Sequence, residues 1–291
     1  MKQVFLVILL AFGFVVGAQN KIVKKPKKQK PATTQVAPKK HKSQSKPTKG
    51  GTVKRVATKA SYSNGTLTVN GIKYNMVWVD GGTFRMGATS EQGSEISDEK
   101  PVHSVTLSGY YIGKTEVTQA LWQAVMGSNP SYFEGDDLPV EQVSWDDCQE
   151  FIRKLNSLTG QNFRLPTEAE WEFACRGGNN SRGYKYSGSN YIDNVAWYWD
   201  NSGKKTHPVA TKSPNELGIY DMSGNVFEWC CDWYGDYSSG VQTNPKGRYD
   251  GLWRVLRGGS WDDNAKGCRS SNRTCNSPGY RADYLGLRLS L

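Results

Sequence analysis

The stretch RLPTEAEWEFACRGG, residues 164–178, limits most narrowly what this chain can fold into, because it encodes both ends of a helix. Thr167 can cap the N-terminus, and Glu170 three residues later can complete a capping box. Gly177 can take the left-handed conformation that ends such a helix. An apolar stripe at helical spacing is formed by Trp171, Ala174 and Cys175. The sequence therefore predicts a short helix packed on a core.

Two further helices are predicted by the same local signals. Thr118 can cap TQALWQAVMG, which Gly127 ends, and Ser144 with Asp147 can form a capping box at the start of SWDDCQEFIRKLNSLTG. The residues predicted to face the core are Leu121, Trp122 and Val125 in the first helix and Cys148, Phe151, Ile152 and Leu155 in the second. Helices of this length must bury their apolar faces against other elements, so we expect a mixed α+β domain.

Strands are predicted around these helices, and a long irregular segment follows them. Residues 67–79 read as a hairpin around Asn70-Gly71, a dipeptide that favours tight turns. Residues 110–116 read as another strand, and the Gly-Gly pair of MVWVDGGTFRMG allows a turn between strands. Residues 191–220 contain Asn, Asp, Gly or Pro every few positions. Loops of that length are usually functional or held together by a ligand.

The N-terminus has the pattern of a secretory signal peptide. Lys2 precedes an apolar run over residues 4–16, and the small residues before position 19 suit cleavage after Ala18. The run is too short to span a membrane comfortably. We therefore predict a signal peptide over residues 1–18 and an exported protein, periplasmic or at the cell surface or extracellular.

Residues 19–60 are predicted to be a disordered basic tether. Residues 21–60 contain 14 Lys and Arg and no acidic residue, with too few apolar residues to join a core. Without these 14 and Lys2, 22 basic residues remain against 27 acidic ones, so residues 61–291 have a net charge of about −5 although the whole chain has +10. The tether is interpreted as a solvated spacer or as a segment that binds an anionic envelope surface. Because export is predicted, nucleic acid is not an expected partner.

The cysteine and histidine content restricts the metal chemistry. The six cysteines are Cys148, Cys175, Cys230, Cys231, Cys268 and Cys275, an even number that permits three disulfides in an exported chain. The chain has only three histidines, one of them in the tether. Zinc or nonheme-iron sites with several His ligands are therefore poorly supplied.

The ordered motifs RLPTEAEWEFACRGG, GIYDMSGNVFEWCCDW, RVLRGGSW and LGLRL resemble the sulfatase-modifying-factor family, which includes the formylglycine-generating enzyme. The resemblance covers about residues 75–291. It implies an α+β, loop-rich fold over residues 61–291, the formylglycine-generating-enzyme variant of the C-type-lectin-like fold. Because function depends on the site and not on the fold, activity is a separate question.

The resemblance also implies calcium, which takes hard oxygen ligands from carboxylates, amide side chains and backbone carbonyls. A first site is expected in DMSGNVFE, and a second in the irregular segment before it. The expected ligands are Asp221, Glu228 and the carbonyls of Gly224 and Val226 at the first site, and Asn194, Asn201 and the carbonyls of Val195 and Gly203 at the second. The alternative is that these residues form turns that satisfy their own backbone.

The reacting positions depart from the family pattern. The formylglycine-generating enzyme holds copper(I) with two cysteines, because copper(I) prefers thiolates. In GGSWDDNAKGCRSSNR the resemblance places Cys268 at the second copper position, Asp263 at the first, and Ser260 at a Ser of the oxygen pocket. Phe227 stands where the family has a Trp. Because one thiolate and one carboxylate make a poor copper(I) site, copper is not favoured.

The resemblance makes a Cys175–Cys275 disulfide plausible, with Cys268 as another candidate disulfide partner. A disulfide between the adjacent Cys230 and Cys231 would be strained, so these two are expected to be reduced or paired elsewhere.

Two functions follow from these observations. In the first, the domain is an exported, calcium-stabilised binding or structural component without a complete copper oxidase site. Its C-terminal segment is rich in Asn, Asp, Ser, Arg and Tyr, a composition that suits an adaptable surface for a protein or peptide ligand. In the alternative, it is an oxidase that converts a protein Cys to formylglycine, with Cys268, Ser260 and Asp263 as the candidate catalytic residues.

Overall fold

The computed structural model describes residues 58–93 and 97–291. The predicted signal peptide and residues 19–57 of the predicted tether lie outside the described residues. Lys59 and Ala60 were predicted to belong to the tether, but both are part of the fold. The Lys59 amide donates to Asn70 Oδ1 at 2.9 Å, and Ala60 begins the first strand. Within the described ranges, no helix has the length and apolar character needed to cross a membrane.

The described residues form eleven strands in three sheets. In chain order the strands are β1 (Ala60–Ser63), β2 (Thr66–Val69), β3 (Ile72–Val79), β4 (Gly82–Met86), β5 (His103–Leu107), β6 (Tyr110–Gly113), β7 (Phe227–Trp233), β8 (Gln242–Thr243), β9 (Arg254–Arg257), β10 (Arg273–Asn276) and β11 (Leu285–Gly286). The sheet orders are β1-β2-β3-β6, β4-β5-β8 and β10-β9-β7-β11. Strand β8 pairs with β5 in parallel, and β11 pairs with β7 in parallel, while the other pairs are antiparallel.

The predicted hairpin is confirmed in the first sheet. Val69 pairs with Ile72, and Asn70 and Gly71 between them have φ of 49° and 88°. These positive values suit a type I′ turn, which matches the twist of the strands. The chain returns to this sheet at Leu291. The Leu291 amide donates to the Tyr111 carbonyl at 3.0 Å, and the Leu291 carbonyl accepts from the Tyr111 amide at 3.1 Å.

All three predicted helices are present as α1 (Gln119–Met126), α2 (Trp145–Thr159) and α3 (Glu168–Cys175). Thr118 caps α1, while Ser144 with Asp147 and Thr167 with Glu170 form the two predicted capping boxes. Helix α3 differs from the prediction in one respect. Seven of its eight residues are buried, so it is a core helix that no single stripe describes.

The core consists mainly of two groups of buried side chains. In one, α1 and α2 pack on the first sheet, and the rings of Trp122 and Phe151 stack with their centroids 4.8 Å apart. In the other, α3 packs against β4, β7 and β9, and the rings of Phe84 and Phe173 lie with their centroids 5.1 Å apart. Residues 191–220 lack regular structure apart from one 3₁₀ turn (Ile192–Asn194), as predicted. The α+β, loop-rich class is confirmed.

Buried ion pairs fix α3 to the third sheet. Glu168 accepts hydrogen bonds from Arg273 Nε and Nη2 at 2.7 Å each. Glu172, also buried, accepts from Arg257 Nη2 at 2.5 Å and Arg176 Nε at 2.9 Å. Because each charge is paired and hydrogen-bonded, the helix can carry two carboxylates into the core.

Candidate functional site

The candidate copper position is a polar turn that follows β9. Gly258 and Gly259 have φ of 98° and 72°, and they lead the chain into Ser260. The Ser260 hydroxyl donates to Asp263 Oδ2 at 2.6 Å, and the Asp263 amide donates to the Ser260 carbonyl at 3.2 Å. Burial raises the pKa of the Asp263 carboxyl, while the bond from Ser260 opposes that shift. Asp263 is therefore engaged with Ser260 within its own turn.

Cys268 is fully buried behind this turn. A Cβ added at Gly259 would lie 2.8 Å from Cys268 Sγ, so the glycine backbone covers the sulfur. Burial raises the pKa of the Cys268 thiol far above its ordinary value, and the charge of Asp263 adds to the shift. Burial therefore favours the neutral thiol, whereas copper(I) binds the thiolate.

A surface cavity of about 350 Å³ adjoins Asp263. Its lining includes Phe227, Tyr284, Asn272 and Cys275, whereas Cys268 does not line it. Phe227 and Tyr284 pack edge to face with their ring centroids 6.4 Å apart. Strand β10, which carries Cys275, is the outer strand of its sheet, so the cavity lies along a sheet edge. The structure thus brings Asp263 together with Cys275, which was not predicted as a site residue, and places Cys268 behind the cavity wall.

The residues at this position do not fit copper(I). In the cavity lining, Asp263 is a carboxylate bonded to Ser260, and the sulfur is the half-buried thiol of Cys275. Cys268 is buried and does not line the cavity. Hard carboxylate oxygen is a poor ligand for this soft ion.

The cysteines are free thiols throughout the described residues, so the expected Cys175–Cys275 disulfide is not formed. Cys175 is enclosed in the core, where its thiol donates to the Met222 carbonyl at 3.7 Å, while Cys275 is half-buried on β10. Burial on helix α3 explains why Cys175 acts as a small apolar side chain. Cys230 and Cys231 are reduced, one of the two states predicted for them.

At the first calcium position, Glu228 is already occupied by protein partners. Its two oxygens accept hydrogen bonds from Arg288 Nη2 and Trp171 Nε1, each at 2.6 Å, and Arg288 Nε adds two longer contacts. Glu228 in this arrangement is an ion-pair partner and not an open ligand. Asp221 accepts one hydrogen bond, from the Ala210 amide at 2.7 Å, and is buried in an αL conformation. Of the two predicted carboxylate ligands, only Asp221 therefore fits a cation.

Glu116 is a third buried carboxylate near this position, and it was missed from the sequence. It accepts from Asn225 Nδ2 at 2.7 Å and the Val226 amide at 3.1 Å. Burial raises the pKa of Glu116 well above its ordinary value, and the charge of Asp221 adds to this shift. Burial likewise raises the pKa of Asp221 to about 6. Among residues 58–93 and 97–291, Arg288 is the one buried cation that forms an ion pair with any of these three carboxylates.

The second calcium position is organised as hydrogen-bonded turns. Asn201 Oδ1 accepts from the Tyr198 amide at 2.9 Å, and its Nδ2 donates to the Ala196 carbonyl at 3.0 Å. The Asn194 carbonyl accepts from the Ser213 amide at 2.9 Å. Val195 is buried, and Gly203 is exposed with φ of 63°. These contacts match the alternative that the residues satisfy their own backbone. Within residues 58–93 and 97–291, no group of three or more His, Cys, Asp or Glu side chains is arranged to hold a metal.

Comparison with known proteins identifies the family. The model described as the sulfatase-modifying factor enzyme 1-like domain matches residues 66–291. The chain belongs to the sulfatase-modifying-factor family. Its fold is accordingly that of the formylglycine-generating enzyme, as predicted, and the match begins nine residues earlier than the motifs indicated.

Relatives of the sulfatase-modifying-factor domain carry different names. The chain is 37% identical to the chaperone protein LppX of Paenibacillus barcinonensis, over 69% of this chain and 82% of the relative. It is 30% identical to the formylglycine-generating enzyme of Streptomyces coelicolor, over 73% and 87% of the two chains. Among solved structures, Treponema denticola variable protein 1 superposes with a TM-score of 0.70 at 37% identity, covering 77% of this chain and 97% of that one.

Proposed function

We propose that this protein is an exported binding component built on the sulfatase-modifying-factor fold, without a complete copper oxidase site. The observation that carries the proposal is Asp263, which stands at the first copper position and bonds to Ser260 at 2.6 Å. A carboxylate cannot replace a thiolate for copper(I). The other copper position, Cys268, is a buried thiol with a strongly raised pKa.

The cavity beside Asp263 is the proposed binding site for a protein or peptide. Phe227 and Tyr284 supply aromatic surface, and Asn272, Thr274 and Asn276 supply hydrogen-bonding groups along β10. A lining that mixes aromatic anchors with adaptable polar groups is typical of surfaces that bind peptides and proteins. An extended segment could also pair with the outer edge of β10 through its backbone.

Calcium is proposed as a stabilising ligand near Asp221. Asp221, Glu116 and Glu228 bring three buried carboxylates together with one cation, Arg288. When the carboxylates are ionised this leaves an excess of two negative charges, which a divalent ion would neutralise. Asp221 and nearby backbone carbonyls would be the ligands, while Glu228 would stay with Arg288. The second predicted position is weaker, because the Asn201 side chain is already hydrogen-bonded to backbone groups.

The proposed setting follows from the N-terminal sequence. Export rests on the apolar run before Ala18, and the Lys-rich residues after it would hold the domain near an anionic envelope surface. Association of the purified mature protein with anionic but not neutral vesicles, lost at high salt, would support this part of the proposal.

The enzymatic question is tested directly. The reduced protein is incubated in air with copper(I) and a peptide containing Cys-x-Pro-x-Arg, and mass spectrometry follows conversion of the thiol to the aldehyde. The proposal predicts no conversion and weak copper binding. Conversion that is abolished by Cys268→Ser would overturn it, since that result would show a working oxidase site.

Formylglycine formation is the second candidate function, favoured by one observation. Cys275 lines the same cavity as Asp263, so a thiol does reach this surface. In that case Cys275→Ser, and not Cys268→Ser, would remove the activity. The two serine variants therefore separate an oxidase that uses Cys275 from one that follows the family pattern.

A further inference from the structure

A second cavity, of about 210 Å³, lies beside the N-terminus of α3 and is distinct from the Asp263 cavity. Its apolar walls include Met86, Trp233 and Pro245, and Asp232 lines it. The volume is below that of sites for drug-sized ligands, so it suits a single side chain or small molecule.

Asp232 is a buried carboxylate with one oxygen available. Only 3% of the residue is exposed. Its Oδ2 accepts from the Glu168 amide at 2.8 Å and the Cys231 thiol at 3.3 Å. Among the described residues, no donor is bonded to Oδ1 and no Lys or Arg forms an ion pair with Asp232. A carboxylate this deeply buried normally has a cationic partner.

The space in front of Oδ1 is kept open by a glycine. Gly247 lines the cavity with φ of 70°, and a Cβ at this position would lie 2.8 Å from Asp232 Oδ1. Any other residue would therefore cover the oxygen. A buried carboxylate that lines the cavity, with one oxygen not hydrogen-bonded and open space kept in front of it, indicates a ligand site.

The charges around the cavity favour a cationic ligand. Glu168 also lines it, but both of its oxygens are bound by Arg273. Asp232 thus has the uncompensated charge, and burial together with Glu168 raises its pKa to about 7. Asp236 adds a second, exposed carboxylate to the lining. A cation in this low-dielectric space would pair with Asp232 more strongly than at the surface.

We propose that this cavity binds an organic cation, a primary ammonium or guanidinium group, with Asp232 as its counter-ion. The cation comes either from a free amine or from a Lys or Arg side chain of a protein partner, since both present the same chemistry to the cavity.

Arg248 is the internal competitor for this site. It lines the cavity, and its Cδ lies 2.2 Å from where a Cβ on Gly235 would stand, so its side chain crosses that glycine. No ion pair joins Arg248 to Asp232 in the structure. A guanidinium at the mouth nevertheless repels an entering cation, so Arg248→Gln should bind the cation several-fold more tightly.

The test compares n-butylammonium with its neutral analogue 1-butanol, using NMR titration of the mature protein. The ammonium should shift the amides of Gly235 and Gly247, which line this cavity, and leave Gly267 beside Asp263 unchanged. Asp232→Asn should weaken binding at least tenfold, whereas Asp250→Asn in an exposed neighbouring loop should not change it. A Lys-containing tripeptide amide, used in parallel, shows whether a side chain in a peptide enters better than the free amine.

Equal shifts with butylammonium and butanol, or shifts outside this cavity, would overturn the proposal. So would unchanged binding in Asp232→Asn. If that variant does not fold, Arg248→Gln decides, because tighter binding of the ammonium is expected only if the charge balance at Asp232 governs affinity.

Discussion

Arg288 and Glu228 form an ion pair in which both side chains are fully buried, with Arg288 Nη2 2.6 Å from Glu228 Oε1. The same guanidinium donates to the Gly113 and Tyr220 carbonyls at 2.9 Å each. One side chain near the C-terminus therefore connects β7, the first sheet and the irregular segment before β7.

Loss of this arginine should be strongly destabilising. Arg288→Met leaves Glu228 buried without a cation beside two further carboxylates, which costs about 3–5 kcal/mol in the free energy of unfolding. The matched control is Arg281→Met, which breaks the half-exposed pair with Asp147 and should cost less than about 1 kcal/mol. Urea denaturation of both variants measures the difference, and similar losses would contradict the prediction.

Removal of calcium should lower the stability of the fold if the ion neutralises the excess negative charge near Asp221. A ligand that binds only the folded state at 100 times its dissociation constant adds about 2.7 kcal/mol. Thermal unfolding is compared with calcium and with a chelator, and Asp221→Asn should reduce the difference. Identical midpoints with and without calcium would exclude this role.

Without calcium, Asp221 should make stability depend on pH. Its pKa is about 6 in the folded protein and 3.8 ordinarily, so the folded state binds this proton more tightly. Stability from this group is therefore present below about pH 4 and is lost as pH rises through about 6, by up to about 3 kcal/mol. Asp221→Asn lacks this proton and also tolerates the αL conformation. The free energy of unfolding is measured in chelator for Asp221→Asn and for the unsubstituted protein. The variant's advantage should grow between about pH 4.5 and about pH 7.5, and a constant difference would refute the assignment.

The copper site should be recoverable by one substitution. Asp263→Cys supplies a thiol at the first copper position and should bind copper(I) at least about tenfold more tightly, because soft thiolate replaces hard carboxylate. Asp263→Ser is the control, since it removes the carboxylate without adding sulfur. Competition with a chromogenic copper(I) chelator measures both, and equal affinities would show that burial of Cys268 limits the site instead.

The folded region should not need the predicted tether. A chain that begins at Thr58 retains the pairing of Lys59 with Asn70 and should unfold at the temperature of the mature protein. A chain that begins at Ser61 loses that pairing and the first residue of β1, so its midpoint should be lower. An unfolded Thr58 variant would show that earlier residues contribute to the core.

Short sequence patterns predicted the helices and the first hairpin well, because the residues that form a helix cap or a tight turn lie within a few positions of each other. The capping boxes at Ser144 and Thr167 and the turn at Asn70 needed only short-range chemistry. The long-range partners could not be predicted in this way. Glu228 was interpreted as a calcium ligand from its motif, and its actual partner Arg288 lies 60 residues further along the chain.

The same limit applies to the candidate site. The exchange of a copper ligand for Asp263 could be recognised from motif spacing. The burial of Cys268 and the position of Cys275 in the cavity depend on how β10 packs beside β9, which spacing does not encode. The site at Asp232 could not be recognised from the sequence. Its neighbours Glu168 and Gly247 are distant along the chain, and only the fold brings them together.

The reciprocal hydrogen bonds between Tyr111 and Leu291 have a consequence for biosynthesis. The first sheet is made early, but its outer strand receives this partner only after Leu291 has been synthesised. Such non-local pairing slows folding and leaves apolar strands uncovered in the meantime. The outer edge of the first sheet would therefore stay unpaired at Tyr111 until the segment that contains Leu291 has been made.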